Sequence, residues 1–399
     1  MSFLLLSAIL INASFFFIKR RIIAIKHDKE ANITVNCNSL PVYYSYCFVM
    51  WMLLLSLIII FALSDLAFFG KIVLLILSLI ICFFITLKLF RKRFNAKQHL
   101  EKGAKILLTA ATTAGIIITF LITISVLFEA IRFFKMVGIE QFLFGLKWNP
   151  QIAVYEGQGV SDSSFGMIPV FLGTLLITLI AMSVSVPLGI LSAVYLAEYA
   201  GSKTRKILKP VLEILAGVPT VVYGYFAVVA VAPFLKSLFA VFNIEIASES
   251  ALAAGLVMGI MIIPFILSLS DDAINAVPTS LKDGALALGS TKSEMIKKVV
   301  LLAALPGIIS SILLAVSRAI GETMIVTMAA GLAAKLTFNP LDSVTTATAQ
   351  IVTLLVGDQE ADSPKTLAAF ALGLVLFIMT LIFNIIALIV SKKYKEKYE

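Results

Sequence analysis

Nine runs of mostly apolar residues divide this chain, at 2–18, 42–64, 68–90, 106–128, 167–196, 211–235, 250–270, 299–320 and 366–391. Crossing the roughly 30 Å hydrocarbon core of a bilayer takes about 20 apolar residues in a helix. In lipid each backbone N–H and C=O must find its partner within the protein, and a helix satisfies them segment by segment. Hydrophobic residues make up 60% of the sequence and charged residues only 14%, against about half and a quarter in soluble domains. These runs predict an all-α polytopic membrane protein with about nine transmembrane helices.

The net charge of +9 raises the question of a nucleic-acid partner, and the placement of the charge answers it. Of 32 Lys and Arg residues, 23 fall in 19–29, 91–105, 203–209, 282–298 and 392–397. The alternate connections hold only Arg132, Lys135, Lys147, Lys236, Lys335 and Lys365. That alternation is the positive-inside pattern, and over nine spans it places the N-terminus outside and the C-terminus inside. The basic residues therefore orient the chain in a lipid bilayer, and no nucleic-acid partner is expected. Cys37, Cys47 and Cys82 have no metal-like spacing, and His27 and His99 stand among basic residues as solvated side chains. No metal site is expected, and without a G-x-x-x-x-G-K-[ST] loop the chain is not expected to hydrolyse nucleotide.

Texture divides the chain near residue 100. Residues 1–100 hold three Leu-, Ile- and Phe-rich runs and a basic linker, and read as a lipid-facing N-terminal extension. Residues 101–399 carry Gly, Ala, Ser, Thr and Pro inside their runs, the residues that permit close helix packing and local breaks. The connection 129–166 reads as an external cap, with Trp148 and Tyr155 suited to a membrane–water interface.

Arg318 and Glu322 lie near the outer end of the eighth run, in "SRAIGETM". Residues four apart share a helix face, so the two are predicted to pair. Two readings stay open on the residues alone. One is a structural intramembrane ion pair; the other is a contact for a passing anion, for which the arginine fork offers two parallel donors. Thr323 and Thr327 would then add hydroxyl donors. In "AGVPT", Pro219 lacks an N–H and frees carbonyls near Leu215, while Gly217 lets another group approach the backbone and Thr220 follows. A packed kink and a pathway contact both suit that stretch. Glu213 is expected to pair with a loop lysine or to sit at a helix N-terminus.

The segment 271–298 is the longest inside connection of the core. Ser280 is predicted as N-cap of a short helix with Leu281, Ala285 and Leu288 on one face, ended by Gly289, and Ser293 with Glu294 opens the next. Such a helix can lie on lipid headgroups or seat in a groove on a soluble partner. The stretch "DGALALG" (283–289) resembles the E-A-A-x-x-x-G coupling loop of ABC importer permeases, with Asp283, Gly284, Ala285 and Gly289 at the pattern positions. Leu288 lies within the same loop.

Stretches 165–200, "LEILAGVPTVVYGYFA" (212–227) and "SRAIGETMIVT" (317–327) further resemble the PstC-type permease subunits of phosphate ABC importers, over 106–391. The resemblance implies a type I importer fold of six core helices, with the ABC transmembrane region at about 167–391, and a transport subunit, not an enzyme. It implies inorganic phosphate as solute and Arg318 and Glu322 as the pair on its path. The implied partners are a PstA-type permease, two PstB-type subunits that bind ATP and magnesium, and a PstS-type extracytoplasmic phosphate-binding protein. A bacterial or archaeal plasma membrane is the implied location. The alternatives are a permease for sulfate, molybdate or tungstate, separable by competition in uptake, and a secondary transporter or channel, which would lack a bound ATPase.

Overall fold

The computed structural model describes residues 15–16, 19–20, 42–50, 95–150, 165–356 and 362–395. Most of the first three predicted runs, together with Tyr155, lies outside the described residues. Among these the chain is helical, with one isolated antiparallel bridge between Trp148 and Phe165. It forms two compact units, Met1–Leu121 and Ile122–Glu399. In the first, residues 42–50 are helical, with Tyr44 and Phe48 buried, and the Cys47 thiol donates to the Ala96 carbonyl at 3.2 Å.

The elements from residue 96 onward are α1 (Ala96–Met136), α2 (Ile139–Phe144), α3 (Ile168–Tyr199), α4 (Ser202–Ala216), α5 (Thr220–Ala240) and α6 (Ala251–Asn275). There follow α7 (Thr279–Ala287), α8 (Lys292–Ile320), α9 (Met324–Ala329), α10 (Ala347–Leu355) and α11 (Pro364–Lys395). Six of these, α1, α3, α5, α6, α8 and α11, are long and apolar enough to cross a bilayer, and they match the last six predicted runs. Their ends differ where polar chemistry intervenes. The helix predicted at 211–235 starts at Thr220, because the chain breaks at Gly217–Pro219. The one predicted from 299 starts at Lys292, behind a Thr291–Glu294 capping box in place of the expected Ser293 start.

At the centre of the second unit α3 and α6 make the most extensive helix contact. Gly255 lies against Ile177 and Ile180, Gly259 against Ala181, and Gly189 against Ile266. Small residues bring the backbones together, and the numbers rise in step, so α3 and α6 run parallel. One return crossing, α5, therefore separates them, which is what the charge pattern requires. α8 runs antiparallel to α6: Ser311 and Ser270 share a buried hydroxyl hydrogen bond of 2.9 Å, and Gly307 lies against Ala273. Two apolar clusters close the ends. Phe133, Phe142, Trp148 and Phe165 stack edge to face at one end. Leu196, Ile274, Met295 and Val300 fill the other. Trp148 is thus not an interfacial side chain: it is buried, and its indole N–H donates to Gln350 Oε1 at 2.8 Å.

Candidate functional site

Two helix breaks dominate the membrane part of the second unit. The first lies in "AGVPT". α4 ends with Gly217 as its C-cap, and Pro219 (φ −58°, ψ 136°) stands at the start of α5. Proline has no N–H for the ladder and crowds the turn before it, so the helix stops here where a mere kink was one expectation. The carbonyl freed at Leu215 is taken up twice: Val218 N–H donates at 3.2 Å and the Tyr223 hydroxyl at 2.9 Å. Thr220 begins the new helix. Glu213 is exposed in the last turn of α4 with no ion pair among the described residues, away from the helix N-terminus expected for it.

The second break follows Arg318. α8 ends at Ile320 with Gly321 as C-cap, and α9 begins at Met324. The i,i+4 geometry that would pair Arg318 with Glu322 needs an unbroken helix, and none runs through Gly321. The predicted ion pair is therefore absent. The Glu322 carboxylate instead turns forward and accepts from the backbone N–H groups of Met324 (3.1 Å) and Ile325 (3.4 Å), capping α9. Its own carbonyl accepts the Thr348 hydroxyl at 2.7 Å. Thr323 and Thr327, predicted as free donors, give their hydroxyl protons to the carbonyls of Gly321 (3.3 Å) and Thr323 (2.7 Å). Side chains thus meet the Met324 and Ile325 N–H groups and the Gly321 and Glu322 carbonyls at the break, as a break within a spanning segment demands.

Arg318 is left with its charge uncompensated: it makes no ion pair or hydrogen bond among the described residues and is exposed on this chain. Its guanidinium carbon lies 5.8 Å from the centre of the Phe265 ring. Phe265 is ten residues before the end of α6 at Asn275, about 15 Å at helical rise. Arg318 is therefore deep in the span, not at its outer rim. A guanidinium stays protonated whatever surrounds it, and at such depth it must face water, protein or a bound anion.

The two breaks lie close to one another. Gly224, in the second turn of α5, packs so tightly on α9 that a Cβ there would sit 3.2 Å from the Met324 carbonyl oxygen and 3.3 Å from Ile325 Cα. The second turn of the helix that starts after Pro219 thus meets the first turn of the helix that starts after Thr323. Beside α9, the buried side chains of Thr345, Thr346, Thr348 and Gln350 make a polar seam. The Ala347 N–H donates to the Thr174 hydroxyl of α3 at 3.0 Å.

At the opposite end, α7 runs from Thr279 to Ala287 with none of its residues fully buried. Pro278 (φ −56°, ψ 135°) holds the boundary position, so the helix starts two residues earlier than predicted and no Ser280 hydroxyl caps it. Gly289 ends it as expected, at φ +84°. Ser290 N–H reaches the Ala285 carbonyl (3.2 Å) and Gly289 N–H the Leu286 carbonyl (2.9 Å), which is the Schellman closure. Leu288 is 90% exposed, and Asp283, Gly284 and Leu281 also face outward. Ala285 turns the other way and packs on the chain's own apolar cluster, so the outward apolar patch is Leu281, Leu286 and Leu288.

Sequence reasoning missed two charge clusters here. Asp271 is fully buried and accepts from Arg205 at 3.0 and 2.9 Å, from Lys209 at 3.0 Å and from Asn275 at 2.8 Å. This ties α4 to α6, and the hydrogen bond that the Lys209 ammonium donates to Asp271 holds its pKa above the usual lysine range. Lys282 of α7 pairs with Glu198 of α3 at 2.6 Å. An acidic pair closing an apolar run, with a basic cluster on the same predicted side, is the signal that could have found the first. In the connection after α9, Asp342 accepts from Lys335 (3.0 Å) and Thr337 (2.8 Å), which holds its carboxyl below the ordinary carboxylate range.

Comparison with known proteins places these features in context. The family described as binding-protein-dependent transport system inner membrane component matches residues 185–396. A probable ABC transporter permease protein of Bacillus subtilis, YqgH, is 32% identical over 310 residues, covering 77% of this chain and 96% of that protein. The phosphate transport system permease protein PstC of Xylella fastidiosa is 31% identical over 309 residues, covering 73% of this chain and 91% of that protein. Among solved structures, a bacterial alginate ABC transporter in complex with its periplasmic protein superposes with a TM-score of 0.50 at 15% identity, over 74% of this chain and 97% of its own.

Proposed function

The chain belongs to the binding-protein-dependent transport system inner membrane components, the multi-pass permease subunits of ABC importers, and from that premise we propose that it carries inorganic phosphate inward. It performs no chemistry of its own; ATP is hydrolysed in separate subunits. The observation that carries the reading is Arg318, a permanent positive charge without a counterion among the described residues, set deep in a span beside a helix break. A phosphate oxyanion supplies the missing partner through two parallel N–H···O contacts. Broken helices near the middle of the bilayer are a recurrent way of building a solute site, because only there is irregular backbone exposed to the path.

Glu322 has a different part from the one its spacing suggested. Its carboxylate, fixed by the α9 backbone, is a stationary negative charge near the path that keeps the anion from binding too firmly to leave. Gly217, Pro219 and Thr220 form the facing break. The path is completed by a PstA-type permease opposite the exposed face of Arg318. One of two PstB-type subunits takes up α7 through Asp283 and Gly284, with Leu288 and Gly289 just after it, and a PstS-type protein delivers phosphate at the opposite face. The reading includes a bacterial or archaeal plasma membrane, as the resemblance implies, with the C-terminus inside and the N-terminus outside, as the alternation of basic connections suggests.

The test is ATP-dependent uptake of radiolabelled phosphate by the reconstituted complex in proteoliposomes, with sulfate, molybdate and tungstate as competitors. Saturable uptake that only phosphate analogues inhibit supports the reading. Uptake blocked equally by sulfate or molybdate assigns the permease to another oxyanion.

A further inference from the structure

The Glu198–Lys282 ion pair is the one charged contact between α7 and the bundle among the described residues. Glu198 is 8% exposed and Lys282 18%, at 2.6 Å. A charge-assisted bond of this kind, largely shielded from water, is short and directional. Lys292, just beyond Gly289, lies 4.9 Å from the centre of the Tyr199 ring. Cations on the two sides of the Gly289 turn thus contact adjacent residues at the end of α3, Lys282 on Glu198 and Lys292 on Tyr199. Those residues close a π-helical turn, Tyr195–Tyr199, a local widening of the helix often found where function needs it.

α3 then leads on. From Glu198 it crosses the bundle to Thr174, whose hydroxyl accepts the Ala347 N–H. The next residue, Thr348, donates to the Glu322 carbonyl at the break that follows Arg318. One helix, α3, and two hydrogen bonds therefore connect the Glu198–Lys282 pair to the candidate anion site. Apart from this ion pair, α7 is held by its covalent flanks and by Ala285 against the apolar cluster.

We propose that Glu198 and Lys282 are positioning residues for transport: their ion pair is the joint through which displacement of α7 by the ATPase moves α3, and so the break at 321–323. The proposal rests on the reading of α7 as the ATPase docking element. A joint made of opposite charges has a testable property, because exchanging the two charges preserves it while neutralising either one does not.

The experiment uses the whole reconstituted importer and measures three things: copurification of the ATPase subunit, ATP hydrolysis, and uptake of radiolabelled phosphate. Glu198→Gln and Lys282→Gln are expected to keep the ATPase subunit bound and hydrolysing while uptake falls by about tenfold, the scale of a single coupled pair. The exchange Glu198→Lys with Lys282→Glu is expected to restore uptake. Wild-type uptake in either single variant overturns the joint, and so does failure of the exchange to restore uptake while the ATPase subunit stays bound. Gly289→Asp, run in parallel, separates the two readings. If it keeps the ATPase subunit bound, the docking reading fails and the joint with it; if it releases the subunit while Glu198→Gln transports normally, the joint alone fails.

Discussion

The guanidinium of Arg318 lies 5.8 Å from the centre of the Phe265 ring, on the face of α6 and far from either end of the span. An aromatic face attracts a cation but does not neutralise it, and such contacts contribute about 0.5–2 kcal/mol. That is enough to aim the side chain and too little to hold it against a phosphate. Phe265 thus orients Arg318 without occupying its donors. The expected counterion, Glu322, is committed elsewhere.

That commitment has a measurable consequence. The Glu322 carboxylate caps α9 through Met324 and Ile325, so Glu322→Ala is expected to lower stability by about 1 kcal/mol, as loss of a helix cap does. Glu322→Gln keeps an acceptor oxygen in place and is expected to unfold close to the wild-type temperature. Thermal unfolding in detergent distinguishes them; equal destabilisation by both would mean that the charge, and not the cap, matters.

Gly224 is where α5 and α9 come closest. A Cβ at Gly224 would meet Met328 Sδ at 2.9 Å, the Met324 carbonyl oxygen at 3.2 Å and Ile325 Cα at 3.3 Å; Gly224→Val adds two methyl groups to that crowding, and overpacking of this kind costs about 1–3 kcal/mol. The variant is expected to lose both thermal stability and uptake, with Gly224→Ala affected less. Unchanged stability in Gly224→Val would show that the two breaks are not packed together.

Gly289 closes α7 at φ +84° with open space around it. Gly289→Ala is therefore strained by its backbone alone, by about 1 kcal/mol, while Gly284→Ala meets nothing within the chain. Copurification of the ATPase subunit is expected to drop in the first and persist in the second. The reverse order would contradict the Schellman ending as the feature that sets the shape of α7.

Asp271 predicts a pH dependence. Its hydrogen bond raises the Lys209 pKa, so the ammonium's contribution is whole below the ordinary lysine range. It is lost as the pH climbs past that ordinary value and through the raised one. At neutral pH, Asp271→Ala leaves Arg205 and Lys209 without their shared partner and is expected to cost on the order of 2–3 kcal/mol. Unfolding followed at neutral and at strongly alkaline pH checks both, and the gap between wild type and variant must narrow in alkali.

The six described spans were legible because the bilayer fixes the length of an apolar run. The breaks were legible only as proline and glycine. A proline ends α4 just after Gly217 while α6 continues through Pro264, so proline alone does not say where a helix stops. The pairing of Arg318 with Glu322 was misjudged because spacing implies a shared face only along a continuous helix. The bonds from Arg205 to Asp271 and from Lys282 to Glu198 span 66 and 84 residues, and nothing local in the sequence carries that information.

The account turns on whether a solute anion touches Arg318. The direct measurement is ATP-dependent phosphate uptake by the reconstituted complex carrying Arg318→Gln, beside wild type and Arg318→Lys, with complex assembly followed in the same preparations. The account predicts that Arg318→Gln assembles fully and takes up no phosphate above background, and that Arg318→Lys, which keeps the charge but loses the fork, falls between. Wild-type uptake by Arg318→Gln, or a complex that no longer assembles, would contradict it.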